Sequence, residues 1–331
     1  MFTRWGAAIA FFLGLALATG LIAYQGFADV GQAVWNVGWG ILAVSAFRVL
    51  PIVGDGLAWK WILGPDWRGK TSELILFRWI RDAVNTLLPV GQVGGDMVGA
   101  RLLTFRDVPG SIAGASVLVD KTLEVFSLFF FTLTGTVVLI AQGRSGNVLD
   151  TAVIGLLVML PLLSVFLAAQ WLGLGKVIEY LLRRLTAFLG KPEQNFSGLN
   201  DATLRYYRDR RRFIPGFLLH FAVWLCNAVD TWLVLRFMDA PVSLTDALII
   251  ESICQVVRSA GFAVPASAGV QEAGYMFVGT FVGLPAEAGL AISLVKRLRY
   301  LIVGVPALAW WQTLEGRRWF TAVRRDRTAD D

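Results

Sequence analysis

Charge, histidine and cysteine are all scarce in this chain. Only 16% of its 331 residues are charged, while 56% are hydrophobic and the mean hydropathy is +0.62. A soluble domain of this length carries roughly a quarter charged residues, so water is not the main solvent here. The one histidine, His220, sits in an apolar run, and the two cysteines, Cys226 and Cys254, lie in expected helices without metal-ligand spacing. A zinc site is therefore not expected, and no cofactor or metal is assigned. Neither a Gly-x-Ser-x-Gly elbow nor an H-E-x-x-H helix occurs, so no catalytic residue is assigned and the chain is not read as an enzyme. The string from Gly64 to Thr71 fits the phosphate-loop pattern letter for letter. That loop works only between a buried strand and a helix of a nucleotide-binding fold, whereas this one joins two apolar helices, so the match is set aside.

What the chain does have is long apolar runs. Full spans are expected near 5–24, 36–62, 111–141, 150–172, 214–238 and 288–312, each at least the ~20 residues needed to cross ~30 Å of hydrocarbon as helix. The first run is long and lacks a cleavage pattern of the A-x-A type, so it is read as a retained span. Two further stretches, 73–104 and 244–283, are interrupted by proline and glycine at Pro89, Gly94 and Gly95 in one and at Pro265 and Gly269 in the other. Such interruptions predict two half-helices around a tip, a form tolerated at membrane depth only inside protein or beside a wet cavity. The fold expected is an all-α polytopic membrane protein. It has about six full transmembrane helices plus two re-entrant half-helix hairpins, within one transmembrane domain over 1–331.

Arginine and lysine collect at Arg4, at Arg68 and Lys70, in 101–106, in the linker 174–213 and in the tail 318–331. These segments are expected in the cytoplasm, together with both termini. Segments 25–33, 239–250 and 280–287 hold Asp29, Asp239, Asp246 and Glu287 but no lysine or arginine, and are expected outside, with Arg144 as a weak exception. The two hairpins then enter from opposite faces. A shift of about 176 residues also superposes Pro89 on Pro265, Asp96 on Glu272 and Lys121 on Arg297. The chain is accordingly divided into an inverted repeat, 34–141 and 210–317.

An ionised side chain at the bilayer centre costs ~2.5–3.5 kcal/mol on insertion scales, so such residues are expected to face inward. Arg78, Arg81, Asp82 and Asn85 form one helical stripe, and Glu251, Gln255 and Arg258 form another. Further charge lies at Asp120, Lys121 and Glu124, at Asp230 beside His220 and Asn227, and at Lys296, Arg297 and Arg299. For any single residue, helix packing explains its presence as well as function does. As a set they predict a charged chamber between the repeats. Arg81, Lys121, Arg258 and Arg297 are assigned to an anionic headgroup, and Asp96, Glu272, Asp120 and Glu124 to proton or charge coupling.

In the linker, residues 176–189 place Ile178, Leu181, Leu182, Leu185, Phe188 and Leu189 on one face and Lys176, Glu179, Arg183 and Arg184 on the other. This pattern predicts an amphipathic helix on the membrane surface, followed by the basic run at Arg208 and 210–212. The net charge of +6 is thus assigned to anionic lipid and not to nucleic acid.

The run from Arg81 to Asp96, Arg-Asp-Ala-Val-Asn-Thr-Leu-Leu-Pro-Val-Gly-Gln-Val-Gly-Gly-Asp, followed by Val98-Gly99-Ala100-Arg101, resembles the flippase-like superfamily named for the membrane half of lysylphosphatidylglycerol synthases. The Gln-Val-Gly-Gly-acid string and the Gly-Ala-Arg after it look most like the HpnL branch of hopanoid-biosynthesis-associated membrane proteins. The second signature, Val264-Pro265 through Gln271-Glu272, also fits. The resemblance implies a bacterial inner-membrane protein that moves a lipid between leaflets, with a hopanoid, a hopanoid-linked lipid or an anionic lipid as cargo. It places the functional tips at Pro89 to Asp96 and Pro265 to Glu272. Membrane lipids are the expected partners, with hopanoid-pathway membrane proteins and a homo-oligomer left open. Two other functions are weighed: a non-transporting scaffold for hopanoid or glycolipid enzymes, and a membrane-embedded lipid-modifying enzyme. Aminoacyl-lipid synthesis is not expected, because the chain has no soluble transferase domain.

Overall fold

A computed structural model describes residues 35, 37–88, 93–188, 197–240, 242–260 and 270–329. The expected span 5–24 and the tip residues Pro89, Pro265 and Gly269 lie outside the described residues; Gly94 and Gly95 lie within them. Among the described residues the chain is helical, without strand. In order the helices are α1 (Gly40–Phe47), α2 (Val49–Leu63), α3 (Thr71–Leu87), α4 (Gly94–Thr104), α5 (Gly110–Ala141), α6 (Asn147–Leu172), α7 (Leu174–Phe188), α8 (Leu199–Arg208), α9 (Arg210–Phe237), α10 (Leu244–Ala260), α11 (Val270–Phe281) and α12 (Ala286–Ala329). Pro51, which can neither donate to Phe47 nor clear its carbonyl, accounts for the break between α1 and α2 at Arg48.

Four stretches are long and apolar enough to cross a membrane: Gly40–Asp66, Gly110–Ala141, Asn147–Leu172 and Arg210–Phe237. They coincide with four of the six expected spans. The expected last span lies inside α12, which is long enough but carries Lys296, Arg297 and Arg299 in its middle. On α6, Ile154, Leu157, Val158, Leu160, Leu162 and Val165 are exposed, the apolar exterior that hydrocarbon solvates. The protein is a multi-pass membrane protein.

Helices α2 and α9 run antiparallel. Arg48 meets Asn227, Gly54 meets Val223, Asp55 meets His220, and Arg212 donates to the carbonyls of Ile62 and Leu63. Around this pair the packing is exchanged symmetrically: α3 lies on α12 as α10 lies on α5, and α4 lies on α5 as α11 lies on α12. Helices α3 and α4 pack antiparallel, since Gly95 abuts the Arg81 backbone while Arg106 pairs with Glu73. On the other side Gly274 abuts Val257, and the Tyr275 hydroxyl donates to Glu251. One contact lacks a counterpart of similar extent: α9 also packs on α5, where Trp224 stacks on Phe131 at 5.9 Å.

The segment expected as linker is largely helical. α7 has the predicted two-faced pattern, and α8 is tied to the bundle by two tyrosines. The Tyr207 hydroxyl meets Thr122 at 2.8 Å and the Gln170 side-chain oxygen, with its single proton donated to one of them, and burial pushes its phenol up to about 12. Tyr206 donates to Asp66 at 3.0 Å, and burial beside that carboxylate raises its phenol as well, so both remain donors. Asp66 also receives Arg205 and Arg212. The phosphate-loop-like string therefore opens as a 3-10 turn, Gly64–Asp66, clamped between helices.

Candidate functional site

The two charged stripes face each other across a cavity of about 120 Å³, room for several water molecules. Arg78, Arg81, Asp82 and Asn85 line it from α3, and Glu251, Gln255 and Arg258 line it from α10. Asp55, Asp96, Lys121, Glu124, His220, Asn227, Arg299 and Tyr300 complete most of the wall, with Arg48 at the α1–α2 break. Lys121 and Glu124 are 30% and 22% exposed, so the chamber reaches the surface on the α5 side.

On the α3 side two arginines organise the acids. Arg78 reaches Asp55 at 3.1 Å, Asp82 at 3.0 Å, Asp120 at 2.7 Å and Glu124 at 3.1 Å. Arg81 bridges Asp96 at 2.6 Å and Asp120 at 2.5 Å, with its guanidinium over the Trp59 ring at 5.4 Å. Trp59 is held in turn by donation to Ser116. Asp96 lies in the first turn of α4, where the helix dipole favours an anion. Asn85 accepts from the Gly95 amide at 2.8 Å, satisfying one otherwise open donor of that turn.

On the α10 side the polarity is reversed, with a carboxylate at the centre. Glu251 accepts from Lys296 at 2.6 Å, Gln255 at 2.7 Å, Tyr275 at 2.9 Å and Thr231 at 2.5 Å. Asp230 takes Arg299, with Lys296 at 3.6 Å. Buried charges are tolerable only when paired and hydrogen-bonded in this way. Arg81 and Arg258 keep spare donor capacity, as does the Nε of Arg299. The Nη2 of Arg81 has no hydrogen-bond partner, and Arg258 reaches the Tyr300 hydroxyl at 3.3 Å but no carboxylate among the described residues.

Of the residues assigned to a headgroup from sequence, Arg81, Lys121 and Arg258 share this cavity. Arg297 does not line it; it holds Glu272 at 2.6 Å, with Ser293 donating to the same carboxylate at 2.8 Å. Of the acids assigned to coupling, Asp96 and Glu124 face the cavity, and Asp120 is fully buried behind Arg78 and Arg81. His220, Glu251 and Arg299, expected in the chamber but given no role from sequence, belong to the site, and so does Asp55, which sequence reasoning did not place there. The signal available was the recurrence of polar residues in apolar spans, which Asp55 and His220 share. Arg48 shares it too, since it lies in the same apolar run as Asp55, whereas Tyr300 gave no such signal.

Comparison with curated proteins and with solved structures found no match for this chain. The family model described as the lysylphosphatidylglycerol synthase TM region matches residues 11–307, which include both cavity-lining stripes and the helices that carry them. The chain belongs to that family.

Proposed function

We propose that this chain moves a lipid between the leaflets of a bacterial inner membrane without altering it chemically. The observation that carries this reading is the charged cavity built jointly by α2–α5 and α9–α12 around an antiparallel α2–α9 pair. Two oppositely oriented units meeting at a polar site are the arrangement from which transporters alternate access. In this reading α3–α4 and α10–α11 are re-entrant hairpins entering from opposite faces, with both termini cytoplasmic. The spare donors of Arg81 and Arg258, with Lys121 at the open side, receive the anionic part of a headgroup, and the acyl or polycyclic tail stays in the hydrocarbon along α5 and α6. The Gln92–Asp96 string supports the HpnL branch, and with it a hopanoid or hopanoid-linked lipid as cargo beside ordinary anionic lipids.

Purified protein in liposomes should speed transbilayer movement of a labelled anionic lipid, and Arg258→Gln combined with Lys121→Gln should slow it by at least about tenfold, the equivalent of ~1.4 kcal/mol of headgroup interaction. Unaltered flipping in the double variant would remove these residues from the site. Lipid extracts of a deletion strain should keep the same chemical species in a changed transbilayer distribution; a missing species would instead indicate synthesis.

A further inference from the structure

His220 is 1% exposed, yet both of its ring nitrogens meet carboxylates. Nδ1 lies 2.9 Å from Asp55 on α2, and Nε2 lies 3.0 Å from Asp120 on α5. An ionised carboxylate can only accept, and a neutral imidazole donates from one nitrogen alone. With the usual single proton, one of these contacts would set a bare ring nitrogen against a carboxylate oxygen at a position almost closed to solvent. Both contacts are satisfied when a second proton sits in the bridge, as an imidazolium between two carboxylates. The bridge also crosses the molecule's internal boundary, because His220 belongs to α9 while its partners belong to α2 and α5.

The surrounding charge makes that proton consequential. Facing the cavity are the cations Arg48, Arg78 and Arg81, Lys121 on α5, Arg258 on α10 and Arg299 on α12. Against them stand Asp55, Asp82, Asp96, Glu124 and Glu251 on the wall and Asp120 directly behind it. Tyr300 contributes a phenol oxygen that Arg258 reaches at 3.3 Å, and Lys296 and Asp230 offset one another behind α10. These fixed charges balance, so the proton on His220 decides whether the chamber is neutral or positive.

We infer that the Asp55–His220–Asp120 bridge is a proton-binding site, and that its proton is taken up together with an anionic headgroup and released with it. The second half of this inference rests on the lipid-translocation reading above. An anion beside Arg81 favours the protonated bridge, and by linkage the protonated bridge favours the anion to the same degree. On release the N–H bond breaks toward cavity water, His220 becomes a neutral imidazole, and one tie between α9 and the α2–α5 unit turns repulsive. Of the acids that sequence reasoning assigned to coupling, Asp120 belongs to the bridge, while Asp96 and Glu272 are less suited to this role. Asp96 is held by Arg81 and Glu272 by Arg297, each in a short ion pair.

The chain's single histidine makes the site directly readable. Full-length protein labelled with 15N-histidine, purified through a histidine-free tag and placed in phosphatidylglycerol nanodiscs, should show both ring nitrogens protonated at neutral pH. Asp55→Asn should release that proton more readily. A bare ring nitrogen at and below neutral pH in the unaltered protein would overturn the proton site. In liposomes with the membrane potential clamped, a pH gradient should drive labelled phosphatidylglycerol into the leaflet on the alkaline side, by up to about tenfold per pH unit for one proton. In His220→Gln the gradient should no longer bias the distribution. Flipping that proceeds to an even distribution in the unaltered protein would overturn the coupling and leave translocation standing. No flipping of any lipid would end the translocation reading and the coupling with it, while the nitrogen spectra would still decide the proton site.

Discussion

Arg78 faces four carboxylates at once, from α2, from its own helix and from two positions on α5. Its removal takes from all four acids a counter-charge they share in a low-dielectric interior, although Asp120 keeps Arg81 and Glu124 keeps Lys121, so Arg78→Met should destabilise the protein by about 3–5 kcal/mol, the range for breaking a buried pair. Thermal unfolding in detergent would read this as a large fall in Tm, and an unchanged Tm would show that the network does not hold the bundle together. Arg258 makes the opposite prediction. It has no carboxylate partner among the described residues, so Arg258→Gln should leave stability within about 0.5 kcal/mol while weakening retention of an anionic lipid on the purified protein. The two stripes that carry these residues were legible from sequence, because a period near 3.6 in an apolar run has few other causes. The identity of each partner was not legible, since Arg78 is separated from Asp120 by 42 positions and a whole connection.

At the scale of elements, two glycines set how closely helices approach. A Cβ at Gly95 would stand 2.2 Å from the Arg81 carbonyl oxygen and 2.7 Å from the Asn85 amide. Gly95→Ala must therefore push α4 off α3, stretching both the Asn85–Gly95 hydrogen bond and the Arg81–Asp96 pair, at about 1–3 kcal/mol for overpacking. A Cβ at Gly135 would stand 1.8 Å from the Ser252 hydroxyl, where α5 crosses α10. Gly135→Ala should destabilise in the same range, and adding Ser252→Gly should recover most of the loss, as measured by thermal unfolding of the single and double variants. Additive losses would show that the two residues do not share that crossing. The spans over 36–62, 111–141, 150–172 and 214–238 were legible as apolar length. The helical content of the linker was legible only in α7, because α8 is short and depends on Asp66, Thr122 and Gln170 from elsewhere to hold it.

For the molecule as a whole, the antiparallel α2–α9 pair is the axis about which its two groups of helices are arranged. Gly54 and Val223 are close enough across it for their Cβ atoms to lie within disulfide range. In a chain with Cys226 and Cys254 replaced by serine, Gly54→Cys with Val223→Cys should cross-link on oxidation, stop lipid flipping and regain it on reduction. Flipping that persists in the oxidised form would show that the two groups need not move against each other. The sequence by itself determined the solvent, the helical character, the apolar lengths and the presence of charge inside the spans, because these depend on composition and on periodicity along one chain. It also carried the family signature in the run around Asp96. Tertiary structure alone decided which charges meet. Lys296, Arg297 and Arg299 crowd one turn of α12, yet they turn to Glu251, Glu272 and Asp230 respectively. Successive side chains leave a helix about 100° apart, so their partners depend on which neighbours pack on each side of that turn.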